Sequence, residues 1–381
     1  MRLRIAGLVA MGIVLVAPTS AQALGWASES LSPPLGATDA LLRDISCPST
    51  SSCTTVGESE NAEFSAFDAT SYGWNGSSWS NQGTTGLEHP LLAGVSCTSG
   101  SFCVAVGGHG EVENEGTLAR HWNGSKWSVV TTPNPGSPPR ILTSVSCTAS
   151  NACTAVGWQQ GAGPEERESL AIRWNGTSWS AQTTPNPGAA ENVLNGVSCT
   201  SSTHCVAVGA QSAGEETYTT LAMTWNGTTW TTQSSPNPAG ALSASTQAVS
   251  CAGSSECTAV GVWQVANGPL PFAMRWNGSS WSMQQVKLPG GTNFGSLSGV
   301  SCVSNTFCMA VGDYEIIGKG EFTMAQKWDG TNWTAEKPPS PGTSSNFLSS
   351  ISCVASNWCD AAGSYLDEES HLVPLIEHFS G

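Results

Sequence analysis

The chain has 381 residues, only 11% of them charged, and a formal net charge of −15 at pH 7. An acidic chain of this kind is not expected to bind nucleic acid or an anionic membrane surface, because those partners are themselves negative. Few charges together with abundant Gly, Ser, Thr and Asn favour an all-β protein whose surface is made of hydroxyls and amides.

The N-terminus predicts a secretory signal peptide. Two arginines are followed by an apolar stretch at 5–17, and a small-residue cleavage site ends at Ala23. The apolar stretch is too short to span a bilayer, which disfavours the alternative of a membrane anchor. We therefore predict that residues 1–23 are removed, and that residues 24–381 form one secreted, extracellular domain.

All fourteen cysteines fall into pairs with the spacing C-x5-C, which recur every 50 to 52 residues. In an exported chain such pairs predict disulfides. Zinc sites favour shorter spacings, and the six histidines hold no common place in the repeat, so we predict no metal and no cofactor. The predicted disulfides are Cys47 with Cys53, Cys97 with Cys103, Cys147 with Cys153, Cys199 with Cys205, Cys251 with Cys257, Cys302 with Cys308, and Cys353 with Cys359.

The fourth copy illustrates the repeating unit. Residues 193–199 and 205–209 predict two short strands whose cysteines face each other, and residues 220–225 and 230–233 predict two more. The last two are joined by an Asn-Gly step, which accepts the positive φ of a type I′ hairpin turn. A variable loop, 210–219, separates the two halves. Seven such antiparallel units predict a seven-bladed β-propeller with four-stranded blades.

A second motif, W-[ND]-G-x-x-W, keeps step with the cysteines. Its two tryptophans are expected to point to one face of the blade, where they can pack against each other or against a neighbouring blade. Six complete pairs occur: Trp74/Trp79, Trp122/Trp127, Trp174/Trp179, Trp225/Trp230, Trp276/Trp281 and Trp328/Trp333.

The seventh unit is split between the two ends of the chain. His378-Phe379-Ser380-Gly381 matches its first half, and Gly25-Trp26-Ala27-Ser28 matches its second half. We therefore predict that the N-terminal strand is the outer strand of the last blade, whose other strands come from residues 347–379. Such a closure removes an open sheet edge.

The units SC-x5-C-x-A-V-G and W-N-G-x-x-W resemble those of uncharacterised secreted repeat proteins of actinobacteria and related soil bacteria, over essentially the whole mature chain. The resemblance implies a β-propeller and no particular activity. Similarity to Asp-box and kelch-type propellers is more distant. Asp329 and Gly330 are adjacent, without the intervening residue of an Asp-box, and the kelch diglycine does not recur in the copies. Fungal fucose-binding lectins are similar in their W-D-G-like turn, and a basic residue precedes the first aromatic at His121, Arg173, Arg275, Lys327 and His378.

The loops between second and third strands hold most of the acidic residues, so one face of the disc is expected to be strongly negative. Variable loops on a rigid scaffold commonly carry function, which favours a face that binds a cationic partner or calcium. The alternative is solvated loops that keep the protein soluble. No D-x-D-x-D pattern supports a dedicated calcium site. The acidic binding candidates are Glu113, Glu166 and Glu216.

Aromatic residues at the same end supply the other binding candidates. Trp158 and Trp263 begin variable loops and stand outside the repeating pairs. Tyr218, Tyr314 and Tyr365 have acidic neighbours, and a tyrosine–carboxylate pair can serve as a nucleophile. Loop tyrosines more often supply packing or binding contacts, so we assign no catalytic residue.

The sequence thus predicts a non-catalytic, monomeric binding module on a disulfide-stapled scaffold, with an unknown extracellular protein or glycan as partner. One alternative is a lectin-like carbohydrate binder that uses the tryptophans and basic residues between blades. Another is a polysaccharide hydrolase or lyase with its site on the acidic face. No G-x-S-x-G, H-E-x-x-H or P-loop pattern supports a particular enzyme class.

Overall fold

The computed structural model describes residues 25–61, 67–84, 87, 89–111, 114–163, 166–214, 217–290, 292 and 294–381. The predicted signal peptide and two acidic candidates, Glu113 and Glu216, lie outside these residues. Within the described residues, no helix has the length and apolar character needed to cross a bilayer.

The described residues form 28 strands in four-stranded antiparallel sheets. The first strands of the sheets are β2 (Ala37–Ser49), β6 (Leu91–Ser99), β10 (Ser137–Ala149), β14 (Glu191–Ser201), β18 (Ser243–Gly253), β22 (Phe294–Ser304) and β26 (Asn346–Ala355). The second strands are β3 (Ser52–Asn61), β7 (Phe102–His109), β11 (Ala152–Gln160), β15 (His204–Ser212), β19 (Glu256–Val265), β23 (Phe307–Ile316) and β27 (Trp358–Leu366).

The third strands are β4 (Phe67–Trp74), β8 (Gly116–Trp122), β12 (Arg167–Trp174), β16 (Tyr218–Trp225), β20 (Gly268–Trp276), β24 (Gly320–Trp328) and β28 (Leu372–Ser380). The fourth strands are β5 (Trp79–Asn81), β9 (Trp127–Val130), β13 (Trp179–Gln182), β17 (Trp230–Gln233), β21 (Trp281–Gln284), β25 (Trp333–Glu336) and β1 (Gly25–Ser30). We number the sheets first to sixth from β2 onward, and call the sheet of β26, β27, β28 and β1 the closing sheet.

The N-terminal strand completes the closing sheet, as the split motif predicts. β1 pairs antiparallel with β28, and Trp26 stands opposite Phe379. Their ring centroids are 5.3 Å apart, in the place that a tryptophan pair takes in the other sheets. The two ends of the chain therefore stabilise each other through one ladder of backbone hydrogen bonds.

The first strand of each sheet lies against the first strand of the next, and β26 lies against β2. A hydrogen bond of 2.9–3.0 Å joins each of these neighbours, from the backbone N–H of the first cysteine in one sheet to the hydroxyl of the serine that precedes the first cysteine of the sheet before it. Both halves of the Ser-Cys step thus have a function. The serine accepts from the next sheet, and the cysteine staples its own.

All seven predicted disulfides are present, and no cysteine is left free. Each one closes the hairpin between the first and second strands of its sheet. A disulfide across so short a loop stabilises the fold by about 2 kcal/mol, mainly by restricting the unfolded chain.

The tryptophans of each complete pair stand directly opposite each other, with ring centroids 5.6–5.7 Å apart. The turn between them differs from the predicted type I′ turn. Gly76 has a φ of 95°, but Asn75 is not among the residues with positive φ. Instead, the Asn75 side-chain oxygen accepts hydrogen bonds of 3.0 Å from the backbone N–H groups of Ser77 and Ser78. The asparagine therefore stabilises a four-residue loop through its side chain, which caps two backbone N–H groups.

The hydrophobic core is distributed between neighbouring sheets. Val156 on β11 packs in one buried cluster with Ala207 on β15, whereas Val206 packs in the next cluster with Val249 on β18. On β15 the valines alternate with Ala207 and Gly209, so large and small side chains of facing sheets interdigitate there.

Candidate functional site

A bulge in every first strand directs one side chain toward the axis of the molecule. In the fourth sheet, Leu194 pairs with Gly209 and Gly196 pairs with Val208, so Asn195 has no partner in the ladder. A Cβ atom at Gly209 would lie 1.9 Å from the carbonyl oxygen of Val193, which explains the invariant glycine of the C-x-A-V-G unit. Bulges commonly re-aim a side chain in this way.

The bulged residues line an axial channel with a cavity of about 200 Å³ and a wider mouth of about 430 Å³. They are of six residue types among the seven sheets, whereas a glycine recurs in every second strand opposite the bulge. The seven bulged residues are Arg43, Ala93, Thr143, Asn195, Gln247, Ser298 and Ser349.

The first sheet contributes the charged part of the channel. Arg43 forms an ion pair with Glu58 on β3. The neighbouring Asp44 is half-buried, and its carboxylate accepts hydrogen bonds from the N–H of Val95 at 2.7 Å and from the hydroxyl of Ser350 at 2.5 Å. Burial raises the pKa of Asp44 to about 6 against these hydrogen bonds. Asp44 therefore links the first sheet to both of its neighbours.

The wide mouth of the channel lies on the side of the second-to-third strand loops, which we call the loop face. Asp313 lines this mouth and accepts a hydrogen bond of 2.7 Å from the hydroxyl of Ser296. Burial raises the pKa of Asp313, and the charge of Glu321 raises it further. Likewise, burial raises the pKa of Glu115, to which the charge of Glu58 adds. At this face, therefore, neighbouring carboxylates lie close enough together for the charge of one to raise the pKa of another.

The loop face also holds a continuous side-chain network between the third and fourth sheets. The guanidinium carbon of Arg167 lies 4.5 Å from the centroid of the Trp158 ring. Arg167 donates to Glu191 at 3.3 Å, and the Tyr218 hydroxyl donates to the other oxygen of Glu191 at 2.8 Å. A parallel backbone pairing of Arg167 with Glu191 joins the two sheets at the same place. The structure therefore connects two predicted candidates, Trp158 and Tyr218.

The remaining described candidates have local partners instead. The Glu166 carboxylate accepts from the N–H of Gly163 in its own loop. Trp263 is half-buried against the core of the fifth sheet. Tyr314 and Tyr365 lie in the sixth and closing sheets, and each packs against a buried core cluster. Tyr314 stacks on Phe322 with centroids 5.5 Å apart, and the Tyr365 hydroxyl lies 3.1 Å from that of Ser30 on β1.

Sequence reasoning missed the residues that organise these sites. Arg43 and Asp44 stand in a repeat position where the other copies carry small or neutral residues, so an alignment of the copies would have singled them out. Such an alignment would not single out Arg167 and Glu191. They lie at the ends of loops whose lengths differ between copies, so they have no equivalent positions to compare.

One group of potential metal ligands is close enough together among the described residues, and it consists of Cys47, Cys53 and Asp360. Both cysteines belong to a disulfide, so their sulfurs are not available as thiolate ligands. This group therefore indicates no metal centre.

No family model and no curated protein sequence matches this chain. Its structure is similar to that of YCF48 bound to D1 peptide, with a TM-score of 0.55 and 14% identity over 93% of this chain and 97% of that chain. It is also similar to Chaetomium thermophilum Sqt1 bound to the N-terminus of the ribosomal protein L10, with a TM-score of 0.53 and 9% identity over 93% and 100% of the two chains.

A third similar structure is an ulvan lyase of polysaccharide lyase family PL25, with a TM-score of 0.53 and 10% identity over 89% of this chain and 94% of that chain. At such identities the likeness concerns the fold alone. The chain has a β-propeller fold, in agreement with its four-stranded antiparallel sheets.

Proposed function

We propose that this chain is an exported, monomeric, seven-bladed β-propeller that binds another extracellular molecule without catalysis. In this proposal residues 1–23 direct export and residues 24–381 fold as one domain. The ring of Ser–Cys hydrogen bonds, which runs from the first sheet through the closing sheet and back, supports seven equivalent blades. Seven disulfides favour an oxidising compartment.

The partner that we propose for the loop face is a cationic segment of another protein. The observation that carries this proposal is the mouth of the axial channel, of about 430 Å³ and lined by both polar and apolar side chains, on the face where Asp313, Glu58 and Glu115 lie. Asp313 lines this mouth, and Glu58 and Glu115 lie near enough to each other for charge repulsion. A facing positive segment would relieve this repulsion, and complementary charge gives both selectivity and fast association.

The bulged residues supply a basis for selectivity within the channel. In a repeat scaffold, most structural positions carry the same type of residue in every copy. At the bulged position the residue type changes between copies. A position that varies at the wall of a cavity, within a strand that otherwise repeats, is typical of a binding site grafted on a fold.

An oligo-arginine peptide with a fluorescent label tests the loop face by anisotropy. We expect saturable binding that weakens as salt is added, because exposed charges are screened. The double variant Glu111→Gln/Glu369→Gln removes two carboxylates whose side chains are 81% exposed and lie on the loop face. We expect it to weaken binding about tenfold.

The matched control is Glu256→Gln/Glu336→Gln, which changes the net charge equally but leaves the loop face intact. Equal loss of affinity in both double variants, or no binding by the unmodified protein, would contradict the proposed face. Turnover of a polysaccharide that is lost in Asp313→Asn would contradict the proposal that the module is non-catalytic.

A further inference from the structure

A groove of about 670 Å³ lies between the closing sheet and the first sheet, on the side opposite the loop face. Its walls include three half-buried tryptophans, Trp74 and Trp79 of the first sheet and Trp358 of the closing sheet. Its polar groups include His378 and Asp360. We propose that this groove binds a neutral saccharide, whose ring lies against the indoles and whose hydroxyls bond to the His378 edge.

The basic residue of this groove is turned away from the neighbouring sheet. In the equivalent groove between the third and fourth sheets, Arg173 lies over the ring of Trp225 at 4.7 Å. Arg275 covers Trp328 in the same way at 4.7 Å. The residue at this repeat position in the closing sheet is His378, and its ring packs edge-on against Trp358 of its own sheet at 5.1 Å.

The tryptophans of the first sheet are correspondingly more exposed. Trp79 is half-buried, whereas the second tryptophan of each other complete pair is buried. Those buried residues are Trp127, Trp179, Trp230, Trp281 and Trp333. An indole that is held rigidly and left partly open at a cavity is a binding surface, because apolar C–H groups of a ligand can cover it at little cost in side-chain entropy.

His378 is positioned by a carboxylate that has no counterpart in the other sheets. Asp360 stands where the first, third and fifth sheets carry Thr54, Thr154 and Thr258, whose hydroxyls lie 3.5–3.6 Å from a cysteine sulfur of the next sheet. The His378 Nδ1 lies 2.7 Å from one Asp360 oxygen. A carboxylate oxygen accepts hydrogen bonds, so Nδ1 is the donor in this contact, which fixes the orientation of the ring.

These features select a small neutral ligand over the alternatives. The volume is that of a small-molecule site, and it combines aromatic walls with a few placed polar groups. An organic cation would also suit an aromatic wall, but the Asp360 carboxylate is already engaged by His378 through a 2.7 Å hydrogen bond. A saccharide uses both parts of the groove, because each pyranose has an apolar face and a rim of hydroxyl donors.

The first experiment observes the binding directly in the folded, oxidised protein. A panel of methyl glycosides and short neutral oligosaccharides is titrated, with tetramethylammonium as a cation probe, and the indole N–H resonances are followed by NMR. We expect one or more glycans to shift the Trp74, Trp79 and Trp358 signals in a saturable way. No saturable shift across the panel, shifts confined to other indoles, or a response only to tetramethylammonium would overturn the proposal.

The second experiment uses variants and isothermal titration with the glycan that binds. We expect Trp358→Ala to weaken binding at least tenfold and Trp358→Phe to restore part of it. His378→Asn retains a donor to Asp360 but removes the Nε2 edge, so it should weaken binding as well. Trp276→Ala, at a half-buried tryptophan of the fifth sheet outside the groove, is the matched control, and it should leave the affinity unchanged. Equal affinity in folded Trp358→Ala and in the unmodified protein would overturn the site.

This inference is independent of the proposed loop-face function. Oligo-arginine binding does not involve the groove, and the loop-face variants leave the groove intact. If oligo-arginine does not bind, the glycan titration still tests the groove. If no glycan binds, the oligo-arginine titration still tests the loop face.

Discussion

The backbone N–H of Cys47 donates a 3.0 Å hydrogen bond to the hydroxyl of Ser352, across 305 positions of sequence. It is the same bond that joins Cys97 to Ser46 and each later sheet to the one before it. The first and closing sheets therefore meet as internal neighbours do. The head-to-tail pairing of β1 with β28 lies on the outside of this seam.

Replacing Ser352 by Ala should destabilise the protein by about 1 kcal/mol, because the N–H of Cys47 loses its acceptor. Ser198→Ala removes the equivalent bond to Cys251 inside the chain and is the matched control. Urea unfolding with the disulfides intact measures both. A loss in Ser198→Ala without one in Ser352→Ala would show that the seam is not closed.

Replacing Trp26 by Ala should cost about 2 kcal/mol of stability, since its ring packs on Phe379 and on the core of the closing sheet. Deletion of residues 25–30 should cost more, because it also exposes the edge of β28. Leu35→Ala is the control, as Leu35 is fully exposed. A thermal midpoint that is unchanged in the deletion variant would contradict the closure.

Glu377→Gln should stabilise the protein increasingly as the pH rises. Glu377 is fully buried, and neither carboxylate oxygen has a hydrogen-bond partner in the described structure. Burial raises its pKa from 4.5 to about 9. Between these values the folded state holds a proton that the unfolded state has lost, so this group makes stability fall as pH rises.

The glutamine variant does not titrate, and the sixth sheet already carries Gln326 at the equivalent position. The difference in unfolding free energy between variant and parent should therefore widen from pH 5 to pH 9, on the order of 3 kcal/mol by pH 7. Glu111→Gln, at an exposed position, is the control. A difference that stays constant with pH would contradict the raised pKa.

Gly209→Ala should destabilise the fourth sheet by about 3 kcal/mol, since the new methyl group would collide with the carbonyl oxygen of Val193. Gly290→Ala is the control, because a Cβ atom there meets nothing within 4 Å. Chemical denaturation distinguishes the two. Equal stability of both variants would mean that the bulge does not press against the second strand.

The architecture was predictable because the same motifs occur in each copy of the repeat. Every copy keeps the C-x5-C spacing and six copies keep the W-[ND]-G-x-x-W spacing, so pairing and strand order follow from local geometry. The split unit at Trp26 and Phe379 predicted the closing ladder, which is confirmed. The turn chemistry was wrong, because the spacing alone does not distinguish a positive φ at Asn75 from a side-chain cap by the same residue.

The candidate sites were less accessible to sequence reasoning. A bulge cannot be read from alternation alone, so the seven residues around the channel were not recognised as a set. The groove depends on His378 and Asp360 meeting Trp74 and Trp79 across the seam, from opposite ends of the chain. No local pattern places such distant residues together; only the closure of the sheets does.

Amide hydrogen exchange, followed by mass spectrometry on the oxidised protein, tests the closed ring most directly. The amide of Cys47 should be protected to the same degree as the amides of Cys97, Cys147 and Cys199, since all four donate to a serine of the preceding sheet. Deletion of residues 25–30 should lower protection at Cys47 first. Fast exchange at Cys47 in the intact chain, beside slow exchange at the other three, would contradict the account.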